Sequence, residues 1–176
     1  MTVKRIPIAI LGATGAVGQR MIQLLANHPW FEIAVLTGSD RTIGRPYGEL
    51  VRWILDSAPP AHIANMIVQP TDQVADVALA LSALPTDAAK LYEPLWAAQT
   101  AVCSNASAYR MTADVPLIIP EVNPEHVNLI DDQRRARGWR GALVTNPNCS
   151  VIGIAMALKP LHDAVGLKHV FASTLQ

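Results

Sequence analysis

Ile6-Pro7-Ile8-Ala9-Ile10-Leu11-Gly12-Ala13-Thr14-Gly15-Ala16-Val17-Gly18 is the stretch that decides the fold. An apolar run ends at Gly12, and Val17, Met21, Leu24 and Leu25 then recur at helical spacing, so the segment reads as strand, tight turn and helix. Each glycine has a physical task. Gly12 permits the turn, Gly15 lets the backbone approach a pyrophosphate, and Gly18 allows the helix to pack closely on the strand. The open N–H groups and the positive dipole end at the helix start suit a phosphate. Such turns also serve plain βα connections, and what favours a dinucleotide here is the strand before and the helix after. Gly12, Thr14, Gly15, Ala16 and Val17 are therefore the expected cofactor contacts of this turn.

The segment after the second strand refines the cofactor. An NAD site ends that strand with an acid for the ribose hydroxyls, whereas a nearby Arg accommodates a 2′-phosphate. Here the strand ends at Leu36 without an acid, and Ser39, Arg41 and Thr42 offer hydroxyls and a guanidinium. Asp40 either serves the ribose or caps the turn. The balance favours NADP over NAD.

Strands and helices alternate along the rest of the chain, the pattern of a parallel α/β sheet. Strands are predicted at Ile6–Leu11, Ile33–Leu36, Met66–Gln69, Val77–Leu81, Ala101–Cys103 and Leu143–Thr145, and a further one at Lys168–Leu175. Helices are predicted at Gly15–Ala26, Thr86–Ala98, Pro124–Arg137 and Cys149–His162. The Pro-rich stretch from Gly44 to Ala61 reads as a long connection covering one edge. Ser82-Ala83-Leu84-Pro85 closes the fourth strand at the carboxyl edge, where open α/β sheets bind ligands. The stretch suits a ligand edge and, with Pro85 at or near the first helical turn, an ordinary strand-to-helix connection alike.

Thr145-Asn146-Pro147-Asn148-Cys149-Ser150 places a cysteine at the first turn of a helix. Unpaired amides and the macrodipole there favour thiolate, the nucleophilic form. Asn148 suits the N-cap, and the Asn-Pro pair breaks the preceding strand. The other reading of such a residue is a buried structural thiol. If Cys149 is a nucleophile, N–H groups of Cys149 and Ser150 are the candidates to hold an oxyanion.

These motifs together resemble the aspartate-semialdehyde dehydrogenases, more closely their archaeal and fungal-type branch. The resemblance is carried by Gly12–Gly18, Ser39-Asp40-Arg41-Thr42, Ser82–Pro85, Ser104-Asn105-Ala106, Tyr109-Arg110-Met111, Pro120-Glu121-Val122-Asn123, Thr145–Ser150 and Ser173-Thr174-Leu175-Gln176, in order along the chain. It implies that Cys149 is the acyl-enzyme nucleophile and that Arg110, with Asn105 nearby, holds the acyl phosphate. It implies that Gln176, 176 − 149 = 27 residues past the cysteine, orients the substrate. It further implies a Rossmann-type NADP domain over residues 1–148, with Ser82 and Leu84 beside the cofactor. Residues 149–176 would then be the first helix and strand of a truncated catalytic and dimerisation domain. The implied reaction is NADP-dependent reductive dephosphorylation of L-4-aspartyl phosphate to the semialdehyde, in amino-acid biosynthesis from aspartate, by an enzyme that is a homodimer or homotetramer when complete. An acyl-CoA reductase acting on malonyl-CoA and a non-catalytic NADP-binding module are the alternatives.

In the family, a catalytic His and a substrate-binding Arg follow that glutamine. None of the five histidines here matches that base. His28, His126, His162 and His169 are expected in solvated positions, and Asn123 is expected to cap a helix.

Composition agrees with an enzyme domain acting on small molecules. Half the residues are hydrophobic, 51%, enough for a core, and 14 basic side chains balance 14 acidic ones without a long block of either sign. Nucleic-acid and membrane-surface binding gain no support from such a balance. The two cysteines do not make a disulfide framework and no leader or long apolar span is present, so a reducing cytoplasm is expected. No metal cluster is read from the sequence.

Overall fold

The computed structural model describes residues 4–175, so Gln176 lies outside the described residues. Its centre is β1 (Ile6–Leu11), followed by α1 (Ala16–Leu25) and β2 (Phe31–Gly38). Short helices α2 (Tyr47–Leu50) and α3 (Ala61–Ala64) interrupt the Pro-rich connection before the two-residue β3 (Gln69–Pro70). Then come β4 (Leu79–Ser82), α4 (Thr86–Ala97), β5 (Ala101–Ser104), a 3₁₀ turn at Pro124–Asn128, α5 (Leu129–Arg137), β6 (Ala142–Thr145) and α6 (Cys149–Val165).

The six strands form one parallel sheet in the order β3-β2-β1-β4-β5-β6. This is the doubly wound α/β arrangement that the alternating pattern predicts, with its topological switch between β1 and β4. Ile8 to Leu11 are fully buried because helices cover both faces of a parallel sheet. The pleat divides them. Ile8 and Ile10 join Ile22, Leu36, Tyr47 and Ile63 on one face, and Ala9 and Leu11 join Ala80, Ala89, Trp96 and Val102 on the other.

Two sequence expectations fail here. The third strand is not Met66–Gln69 but Gln69–Pro70, because residue 67 instead makes an antiparallel bridge with Pro46 in the connection. Lys168–Leu175 is not a strand. Its residues carry no regular structure, and Phe171 and Leu175 are exposed, since no described strand lies alongside to complete a hydrogen-bonded ladder. The Pro124–Arg137 helix begins as 3₁₀ and turns α at Leu129.

Candidate active site

All six strands run the same way, so the loops after Leu11, Gly38, Pro70, Ser82, Ser104 and Thr145 gather along one edge of the sheet. A cleft of about 470 Å³ opens at the switch point, lined by Gly12, Thr14, Gly15, Gly38, Ser39, Asp40, Pro70, Thr71, Asp72, Ala83, Leu84, Pro85, Ala88 and Tyr92.

The glycine turn has the geometry that its spacing implies. Gly12 sits at φ +75°, and a Cβ there would lie 2.9 Å from the Ala83 carbonyl oxygen. A Cβ on Gly18 would meet the Gly12 oxygen at 2.5 Å, so that glycine lets α1 seat against the turn. Gly15 is different. Among the described residues a Cβ there would meet only the Gly12 oxygen, at 3.6 Å, so none of them demands this glycine. It faces the cleft, and no side chain caps α1. An open anion-binding helix start beside a glycine that no neighbour among the described residues requires fits a dinucleotide pyrophosphate. Ala16 and Val17 stand exposed in the first turn of α1, beside the cleft rather than on its lining.

The loop after β2 is a compact turn. Thr42 donates both its amide and its hydroxyl to the Ser39 carbonyl, at 2.8 and 2.7 Å, so its Oγ1 holds the turn. Ser39 and Asp40 line the cleft, whereas Arg41 is exposed next to it. Asp72 adds a second carboxylate that the sequence reading did not single out. Its only signal was its place just after a strand that was itself misplaced by a few residues. Ser82, expected at the cofactor, is fully buried, and its hydroxyl donates to Glu93 Oε1 at 2.7 Å; Ala83, Leu84 and Pro85 face the cleft instead.

Beyond β5 and β6 a second group assembles. Arg110 donates through Nε to the Asn146 carbonyl at 2.7 Å and through its terminal nitrogen to the Asn105 carbonyl at 3.0 Å. The guanidinium thus spans the loop after β5 and the loop that leads into α6. A proline in α4 helps to dock this region. Pro94 has no N–H for the carbonyl of Lys90 one turn back, and the Tyr109 hydroxyl donates to that carbonyl at 2.8 Å. Cys149 is exposed and opens α6, where Asn148 Oδ1 accepts the Ser150 amide at 2.9 Å. That amide serves the cap, which corrects the expectation that it faces an oxyanion. Cys103 is half-buried, and desolvation pushes its thiol up from the ordinary range.

Sequence reasoning missed Glu93. Its side chain is fully buried, Oε1 accepts from Ser82 and from Ser104, and burial raises its carboxyl pKa while the two hydroxyls oppose the shift. Its Oε2 is buried without a hydrogen-bond partner. The signal was present, since Ala89, Glu93, Trp96 and Ala97 recur at helical spacing on the buried face of α4.

The histidines are less uniform than expected. His62, His162 and His169 are exposed, but His28 is half-buried, stacked on Phe31 with centroids 4.9 Å apart, and its Nδ1 accepts the Trp30 and Phe31 amides. His126 is half-buried, with a buried Nδ1 lacking a partner. Asn123 does not cap the following helix. Its side chain donates to the Leu117 carbonyl and accepts from the Ile119 amide, which closes its own loop. Among the described residues no helix is long and apolar enough to cross a membrane.

Comparison with known proteins places these features. A family model described as semialdehyde dehydrogenase, NAD binding domain, matches residues 7–130. The aspartate-semialdehyde dehydrogenase of Methanothermobacter thermautotrophicus is 52% identical over 171 residues, 96% of this chain and 49% of that protein. A malonyl CoA reductase (NADP) of Metallosphaera sedula is 43% identical over 96% of this chain and 48% of its own length. The crystal structure of an aspartate semialdehyde dehydrogenase with NADP from Candida albicans superposes with a TM-score of 0.84 at 35% identity, over 92% of this chain and 48% of that one. The chain spans about half the length of the curated relatives it matches.

Proposed function

This chain belongs to the semialdehyde dehydrogenase family, and from that premise we propose that it forms the NADP-binding part of an aspartate-semialdehyde dehydrogenase together with its nucleophile, Cys149. The observation that carries the reading is Arg110, anchored on the carbonyls of Asn105 and Asn146 in the loop that delivers Cys149 to the start of α6. Two carbonyl acceptors orient the guanidinium and leave donors for an anion, because Arg carries five N–H groups. An acyl phosphate held there presents its carbonyl carbon to the thiolate. The Cys149 sulfur forms the new bond, the phosphate departs with its electron pair, and a thioester remains on the chain. Arg110 neutralises the charge on the departing phosphate.

Gly12, Thr14, Gly15, Ser39 and Leu84 would hold the cofactor across the cleft, with Ala16 and Val17 offering first-turn amides and Arg41 and Thr42 at the 2′-phosphate. NADP(H) bound there supplies hydride chemistry for reduction of the thioester to the aldehyde. We assign the proton carrier, Gln176 as substrate-orienting residue, and the homodimer or homotetramer contacts to the complete enzyme. The partner is a small-molecule acyl phosphate or aldehyde, in cytoplasmic amino-acid biosynthesis from aspartate. Residues 1–148 then form the cofactor domain, and Cys149 begins the catalytic one.

Titration of NADPH and NADH against the parent chain and Arg41→Ala tests the cofactor. Loss of one charge-assisted contact should weaken NADPH by about 1.5–3 kcal/mol and leave NADH nearly unchanged. Equal affinity of the parent for both cofactors would remove Arg41 from the 2′-phosphate, and tighter binding of NADH would place Asp40 or Asp72 at the ribose hydroxyls instead. Mass spectrometry of Cys149 after exposure to aspartyl phosphate or malonyl-CoA tests the substrate. The similarity to the malonyl CoA reductase makes that second arm informative, and an adduct from malonyl-CoA alone would transfer the assignment to acyl-CoA reduction.

A further inference from the structure

Among the described residues, Glu93 is the one fully buried acid, and it lies outside the lining of the cleft. We propose that Glu93 is a positioning residue which, through Ser82 and Ser104, locks the cofactor turn to the loop that holds Arg110, so that each loop sets the geometry of the other. This rests on the assignment of the cleft to NADP and of Arg110 to the acyl phosphate.

Ser82 and Ser104 are register partners at the ends of the neighbouring parallel strands β4 and β5. Both hydroxyls donate to the same oxygen, Oε1, at 2.7 and 2.6 Å. Each hydroxyl in turn accepts an amide two residues on, Leu84 at 3.5 Å and Ala106 at 3.0 Å. Leu84 lines the cleft, and the carbonyl between Ser104 and Ala106, that of Asn105, receives Arg110. A tie from the Asn105 amide to the Ser82 carbonyl at 2.9 Å runs beside this relay. One carboxyl oxygen therefore stands at the junction of two loops with different ligands.

An apolar side chain would serve packing at this position better than an acid. The face that Glu93 shares with Ala89, Trp96 and Ala97 is otherwise apolar, and a buried carboxyl with one bare oxygen is costly. Burial raises the carboxyl pKa, and in either protonation state Oε1 can accept both serines. Glutamine reproduces that acceptor in a neutral side chain of the same length, whereas leucine fills the volume and accepts nothing.

Amide hydrogen exchange and NADPH titration on the chain test the coupling. Ser104→Ala, a change outside the cleft, should speed exchange at the Leu84 amide and weaken NADPH, each by about three- to tenfold, the worth of one hydrogen bond. Ser82→Ala should speed exchange at the Ala106 amide by a similar factor. Glu93→Leu should do both, and Glu93→Gln should restore slow exchange at both amides and the parent's affinity. Unchanged Leu84 exchange in Ser104→Ala, or a Glu93→Leu chain indistinguishable from the parent, would overturn the proposal. If Glu93→Leu fails to fold, the two serine variants decide. If the parent binds no NADPH, the functional assignment falls while the cross-loop exchange effect still decides this inference.

Discussion

The sheet and its helices, residues 6–145, and the segment 149–175 carry similar apolar side chains and bury them in opposite ways. Trp96, Ile8, Ile10, Leu11, Ile22 and Leu143 are fully enclosed, whereas α6 has no buried residue although Val151, Met156, Leu161 and Val165 lie along it. The difference lies in the surroundings. A parallel sheet offers two faces on which helices can deposit an apolar stripe, and α6 has no such surface among the described residues. Stability should therefore reside in the first region, and reactivity of the Cys149 thiol in the second.

The strongest way to break that contrast is to compare Trp96→Ala with Leu161→Ser by urea unfolding. Trp96 is fully buried, and its indole N–H donates to the Thr71 carbonyl at 2.8 Å. Its loss should remove about 3–5 kcal/mol. Leu161 is 53% exposed, and its replacement should stay within about 0.5 kcal/mol. Comparable losses would mean that α6 is part of the same cooperative core.

A smaller effect separates the two thiols. Cys149 is exposed at a helix start, while burial raises the Cys103 pKa. Limited alkylation followed by mass spectrometry should label Cys149 at least about tenfold faster, because the reactive species is the thiolate. Preferential labelling of Cys103 would place the accessible nucleophile in the sheet instead.

The smallest contrast is between ion pairs. Asp114 receives Arg137 at 2.8 Å, and this hydrogen bond holds its carboxyl below the usual range. A depressed folded-state pKa contributes stability above the unfolded value, near 3.9, that is lost as pH falls through the folded value. Asp114→Asn should therefore lower stability by about 0.5–1 kcal/mol at neutral pH, and the gap to the parent should close in acid. Asp163, paired with Lys159 on exposed α6, should give about 0.5 kcal/mol or less when changed to Asn. A gap for Asp114→Asn that persists in acid would trace its effect to packing rather than charge.

Local patterns were legible wherever the backbone itself carries the information. The Gly12–Gly18 turn, the Ile6–Leu11 strand and the Cys149 helix start are short-range features, and the structure reproduces each at its predicted place. Less was legible where a side chain had a distant choice of partner. The Ser82 hydroxyl, at the end of β4, is taken by Glu93, eleven residues on, a contact that no local pattern announces. Asn123 has the composition of a cap and closes a loop with Leu117 and Ile119 instead. Lys168–Leu175 has strand composition, but a ladder needs a second strand alongside.

By itself, then, the sequence determined the α/β class, the strand-turn-helix of the nucleotide site and the helix-start cysteine, because periodicity, glycine and cap residues act within a few residues of themselves. Only the tertiary structure decided the strand order, the place of Asp72 and Tyr92 in the cleft wall, the seating of Arg110 on Asn105 and Asn146, and the burial of Glu93 between two serines. Those depend on which strand ends lie side by side, a choice made by packing across the whole sheet and written in no single stretch of the chain.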